Sequence, residues 1–161
     1  MTSTAADAAS FAAATAPIAV AVRSGLSESV HHGVGVALGA DGLPRARVGD
    51  PDAVVYPRSC LKPLQADAML ALGLDVTDDQ LAVACASHDG ADVHVAVVRS
   101  ILADHDVSPD DLANTPGHPL DDTARTAALI AGVAPSSLQQ NCSGKHAAML
   151  ATCRANGWPT G

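Results

Sequence analysis

One Trp, one Tyr and one Phe in 161 residues leave this chain to build its core without aromatic side chains. Apolar residues still make up 48%, so Ala, Val and Leu must form the interior. The same scarcity argues against stacking platforms for bases or sugars. The length is about one domain's worth, enough to bury a sizeable core. Charged residues, at 16%, are too few for a disordered chain of this apolar content. Seventeen acidic against nine basic residues give a net charge of -8. That balance speaks against nucleic acid and anionic membrane as partners, because both need clustered Lys and Arg. With no run of 18 strongly apolar residues, nothing is expected to span a membrane. A soluble globular chain is the expectation.

The first residues, MTSTAADAASFAAATAP, contain no basic residue and include Asp7. A secretory signal needs a positive start and an unbroken apolar run, so residues 1–16 read as a disordered tail. Cys60, Cys85, Cys142 and Cys153 form no CxxC pair and no disulfide framework. Reduced thiols and a cytoplasmic location follow as expectations.

The pattern changes near residue 57. Before it, Ile18–Val22 and the alternating Val34, Val36 and Leu38 read as strands. Ala40-Asp41-Gly42 signals a turn, and segments 45–48 and 53–56 could continue an antiparallel meander. After it, helices dominate. Leu64, Ala68 and Leu72 share one helical face, with Gly73 as a stop. Thr77-Asp78-Asp79-Gln80 fits a capping box. Val93, Val97, Ile101 and Leu102 form an amphipathic stripe. Asp121-Asp122 open a helix that Gly132 closes, and a last helix runs from about Gly144 to Asn156. The fold class is therefore α/β in the α+β sense: an antiparallel sheet from the N-terminal third with helices packed on it.

Three clusters place reactive side chains beside Gly or Pro. In PRSCLKPLQA (57–66), Ser59 and Lys62 share a face if the segment makes a helical turn. A hydroxyl becomes a useful nucleophile when a base takes its proton, and a neutral lysine amine can be that base. Lowering a lysine pKa from about 10.4 to about 7.5 costs roughly 4 kcal/mol, which burial and a helix N-terminus would have to supply. Pro63 disfavours a helical Lys62, so the helix starts either before Ser59 or at Pro63. By itself, Ser-x-x-Lys favours a capping serine and a solvated lysine.

The second cluster, CASHDG (85–90), invites a Ser-His-Asp triad reading, but triad members meet in space and not as neighbours in sequence. A polar helix-end loop is the better local reading, with Cys85 a small buried residue. The third is QNCSGKH (140–146), opening the last helix, where free backbone N–H groups suit a carboxylate or an oxyanion. Cys142, Lys145, His146, Met149 and Cys153 recur at helical spacing. A metal could use Cys142 with His146 or Cys153, whereas Met149 and Cys153 read better as core-facing. His31 and His32 point to opposite faces of a strand. His94 and His105 flank a helix, and His118 lies in a rigid Pro-Gly-His-Pro loop.

Taken in order, these segments resemble the bacterial L-asparaginase II family. The resemblance runs from about Ile18 to the last residue. It is carried by LSESVH (26–31), PRSCLKPLQA (57–66), CASHDG (85–90), His94, PGHP (116–119) and NCSGKHAAMLATCRANGWPT (141–160). It implies a fold like that of serine β-lactamases and glutaminases, and hydrolysis of asparagine's side-chain amide to aspartate and ammonia. By position it implies Ser59 as nucleophile, Lys62 as its base and Ser87 as a second serine working with a later lysine. Arg58 and His146 would bind substrate. Cys142 and Lys145 match two ligands of the family's zinc site, whose third protein ligand is a downstream cysteine. The chain departs from the pattern at Ala91 (a glutamate is expected), at Gln140 (usually a second asparagine) and at Pro116, in place of a cysteine.

Family members run to roughly twice this length, so residues 17–161 read as the N-terminal part of an asparaginase II-like domain, and the chain as about half of an enzyme. The resulting expectation is an L-asparaginase acting through a serine acyl-enzyme, homodimeric when complete, with this chain an inactive part of it. The alternatives are a non-catalytic fragment, a zinc-binding module built on Cys142 to Cys153, or a glutaminase-like amidohydrolase.

Overall fold

The computed structural model describes residues 5–160. The chain divides between Tyr56 and Pro57 into two compact units, at the change of pattern seen in the sequence. Among the described residues, no helix is long and apolar enough to cross a membrane. The mixed α/β class stands, with six α-helices and two small antiparallel sheets among the described residues.

The first unit begins with helix α1 (Ala5–Ala14), which takes the place of most of the expected disordered tail. Seven of its ten residues are alanine, the strongest helix former. The first four residues assigned to that tail lie outside the described residues. Strands β1 (Ala16–Arg23) and β2 (Leu26–Gly33) form one antiparallel hairpin. Ser24 and Gly25 close it with φ of 51° and 80°, the doubly positive pair that a two-residue turn needs to follow the strand twist. Strands β3 (Gly35–Leu38) and β4 (Pro44–Val48) form a second hairpin. Its turn is held by Leu43 N–H donating to Asp41 Oδ1, with Gly42 at a φ of 74°. The expected single meander is therefore two separate hairpins, and segment 53–56 adds no strand. Within 53–56, Val54 and Tyr56 are more than 90% exposed, so the face they share is not buried.

The second unit is helical. A 3₁₀ turn (Arg58–Leu61) leads into α2 (Lys62–Ala71), followed by α3 (Asp78–Cys85), α4 (Asp92–Asp104), α5 (Asp122–Ile130) and α6 (Ser143–Ala155). Pro63 sits in the first turn of α2, where its missing N–H costs nothing. The capping box at Thr77 and Gln80 is formed in both directions, and the Asp121 side chain caps α5.

Helix α6 is the hub, packing against α2, α3 and α4. Its buried Ala147, Ala148 and Ala151 let neighbouring backbones come close, and Val98, Ile101 and Leu102 of α4 fill the space opposite. At Gly144 a Cβ would sit 2.5 Å from the Val83 carbonyl oxygen, so α6 and α3 meet backbone to backbone. The face expected on α2 is displaced, whereas on α4 Val97, Ile101 and Leu102 face the core as expected. On α2 the inward face carries Lys62, Ala66 and Met69, while Leu64 and Leu72 are exposed. On α4, Val93 is exposed and Val98 takes its place in the core. The α2 shift accompanies the inward turn of Lys62 to the Ala86 carbonyl and Ser87, a long-range pairing that apolar periodicity does not reveal.

Candidate active site

Lys62 opens α2 and is 3% exposed. Its Nζ donates to the Ala86 carbonyl at 2.9 Å and meets Ser87 Oγ at 2.8 Å. The amine thus spans from the first turn of α2 to the residues just past the C-terminus of α3. No carboxylate pairs with it among the described residues. Ser59 lies one turn earlier, exposed on the 3₁₀ turn, and no hydrogen bond among the described residues reaches its Oγ. Arg58, beside it, is held at a φ of 50°, a left-handed conformation that costs a non-glycine residue about 1–3 kcal/mol.

The run Ser87-His88-Asp89 is no triad in space. Ser87 meets Lys62, His88 turns inward to Ser143, and Asp89 reaches His94. His88 Nε2 is 2.8 Å from Ser143 Oγ, and its Nδ1 accepts from Gly90 N–H at 3.1 Å. Burial holds the His88 imidazole below its ordinary pKa, and the nearby His94 and Lys62 add to that against Asp89. The Ala91 N–H donating to Asp89 Oδ1 at 3.0 Å is the main force holding the Asp89 carboxyl below its usual value; His94 Nδ1, 2.7 Å away, assists. The His88 and His94 rings stack with centroids 5.6 Å apart. A cleft of about 400 Å³ opens beside them, its polar wall Ser87, His88 and His94 and its apolar wall Val83, Val93 and Val97.

The start of α6 supplies the third side. His88 N–H donates to the Asn141 carbonyl at 3.2 Å, joining the Ser87 loop to the segment before the helix. Gln140 Oε1 accepts from Cys142 N–H and from Asn114 Nδ2, and Gln140 Nε2 donates to Asn141 Oδ1. Cys142 Sγ donates to the same Asn141 oxygen at 3.3 Å. Lys145 and His146 are half-buried in the first turn. Burial, then Lys145 and Lys62, push the His146 pKa down.

Cys142 and Lys145 offer a zinc ion two donors, and a closed structural site takes four. Among the described residues, no group of three His, Cys, Asp or Glu could hold a metal. Cys153 is half-buried three turns along α6, and all four cysteines are free thiols. Among the described residues, Cys142 and Lys145 gain no further donor that would complete a zinc site.

Of the residues expected to act, Lys62 and Ser87 are in contact. The pairing of Asp89 with His94 is not contained in the sequence reading, although both residues lie in segments that carry the family resemblance.

The family model described as L-asparaginase II matches residues 19–161. No curated protein matches the chain.

Proposed function

The chain belongs to the L-asparaginase II family, and on that premise we propose that Ser59, Lys62 and Ser87 form the acyl-transfer centre of an L-asparaginase. The observation that carries this is the buried Lys62 amine, 2.8 Å from Ser87 Oγ and three residues after Ser59.

In this reading Lys62 Nζ takes the Ser59 hydroxyl proton as Oγ bonds to the side-chain amide carbon of asparagine. The same proton then passes to the amide nitrogen, the C–N bond breaks and ammonia leaves. Water attacks the resulting ester, giving its proton back through Lys62, and aspartate departs with Ser59 restored. Ser87 holds the amine in place and offers a second hydroxyl for moving the proton. Arg58 and His146 are the groups we assign to the substrate's carboxylate.

The Lys62–Ser87 contact also favours a second reading, in which Ser87 is the attacking hydroxyl. A diazo-ketone analogue of asparagine, followed by peptide mass mapping, separates the two. Labelling of the 58–62 peptide that disappears in Ser59→Ala supports the first reading. Labelling at Ser87 that survives in Ser59→Ala selects the second. No adduct on either serine overturns both. Ammonia release from asparagine and from glutamine, measured side by side, decides the amide preferred.

A further inference from the structure

Two fixed ends determine the protonation of the buried His88. At one end the donor is a backbone amide, Gly90 N–H, so Nδ1 must present a lone pair. At the other, Ser143 Oγ spends its only proton on the Leu138 carbonyl at 2.8 Å, so it can only accept from His88 Nε2. The ring is therefore the neutral Nε2–H tautomer. His88 is 6% exposed and Ser143 is fully buried, so water does not compete for either bond.

The ring's place in the fold gives this tautomer a consequence. His88 follows Ser87 directly, and Ser143 is the first residue of α6, between Cys142 and the Lys145–His146 pair. Asp89 O accepts from Asp121 N–H at 2.9 Å, which pins the loop from its other side. At Gly90, with a φ of 81°, a Cβ would lie 2.6 Å from Gln139 O, so the loop lies directly against the segment leading to α6. The imidazole is the side-chain link between the Ser87 loop and the start of α6.

We propose that His88 is a positioning residue: as a neutral Nε2–H imidazole it sets, through Ser143, where Ser87 meets Lys62. The proposal rests on the reading of Lys62 and Ser87 as one centre, and it gives His88 no proton-transfer step. A charged imidazole would turn Nδ1 into a donor facing the Gly90 N–H, so the link holds only in the neutral ring.

NMR of the 161-residue chain tests this without any substrate. Long-range ¹H–¹⁵N correlation is expected to show His88 with protonated Nε2 and bare Nδ1 at neutral pH. The two lysines give two ¹⁵Nζ signals, detected through their Cε protons. His88→Ala should move the Lys62 signal toward that of a solvated lysine, and His88→Gln, which keeps a donor toward Ser143, should restore it. If His88→Ala does not fold, Ser143→Ala carries the same expectation. A His88 found as the Nδ1–H tautomer or as imidazolium overturns the proposal. So does a Lys62 signal unmoved in whichever of these two Ala variants folds, or, should neither fold, one that His88→Gln fails to keep at its wild-type position. An intact NMR pattern with no diazo-ketone adduct on Ser59 or Ser87 would instead fault the proposed reaction.

Discussion

Lys62 Nζ and Ser87 Oγ are 2.8 Å apart, on a lysine side chain that is 3% exposed and that also donates to the Ala86 carbonyl. The pair links the helix following Ser59 to the loop following α3, so chemistry and packing meet in one side chain. Methionine and alanine substitutions separate the two. Lys62→Met keeps most of the stem and removes the amine, and the Ala86 carbonyl and Ser87 hydroxyl that lose it belong to exposed residues, where water can replace the donor. We expect unfolding free energy to stay within about 1 kcal/mol while serine labelling falls by about 10²-fold or more, the usual weight of a general base. Lys62→Ala should add a cavity penalty of about 2 kcal/mol. Undiminished labelling in Lys62→Met would remove Lys62 from the reaction.

Arg58 yields the second prediction. Its φ of 50° suits glycine and strains arginine. Arg58→Gly should therefore raise the melting temperature, by an amount equivalent to about 1 kcal/mol. If the guanidinium binds the substrate carboxylate, KM should rise in the same variant with a smaller change in kcat. A lower melting temperature would show that the conformation carries no strain.

The helical half of this fold was legible because its signals are local. The Thr77–Gln80 capping box, the Asp121 cap and the stops at Gly73 and Gly132 each depend on neighbours a few residues away, and each formed. Core faces were harder to read. On α2 the sequence offers Leu64, Ala68 and Leu72, but the inward side is Lys62, Ala66 and Met69. A lysine reads as an outward residue until its long-range acceptors, Ala86 and Ser87, are known. The site has the same character. Ser87, His88 and Asp89 are sequence neighbours with three separate partners, at Lys62, Ser143 and His94. Residue order carried the family resemblance, but it could not carry those pairings.

The histidines set the pH response. His88 has its pKa lowered in the fold, chiefly by burial, and so does His146. A depressed folded value means that the unfolded chain binds the proton first. Stability is then full above the ordinary histidine pKa of about 6.5 and falls as pH drops from there toward the folded values. While His88 is in that window the slope approaches about 1.4 kcal/mol per pH unit. Asp89 acts at lower pH: its depressed carboxyl contributes stability above the ordinary aspartate value, lost as pH falls through the folded one. Urea midpoints between pH 8 and 4 should fall on acidification, and His88→Gln should flatten the first part of the curve. A midpoint independent of pH from 7 to 5 would contradict a neutral buried His88.

Gly144 offers the sharpest contrast between local propensity and packing. It lies in the first turn of α6, where alanine alone should stabilise the helix by about 1 kcal/mol. A Cβ there would stand 2.5 Å from the Val83 carbonyl oxygen and 2.8 Å from its carbon. Both are α3 backbone atoms and cannot rotate aside, so α6 must back away from α3. Overpacking of this kind costs about 1–3 kcal/mol, enough to reverse the propensity gain. The same displacement would draw Ser143 away from His88, loosening the Ser87 loop. Gly144→Ala should therefore melt at lower temperature than the parent chain and shift the Lys62 ¹⁵Nζ signal toward that of a free lysine. A higher melting temperature with an unmoved Lys62 signal would mean that α3 and α6 do not touch at this point.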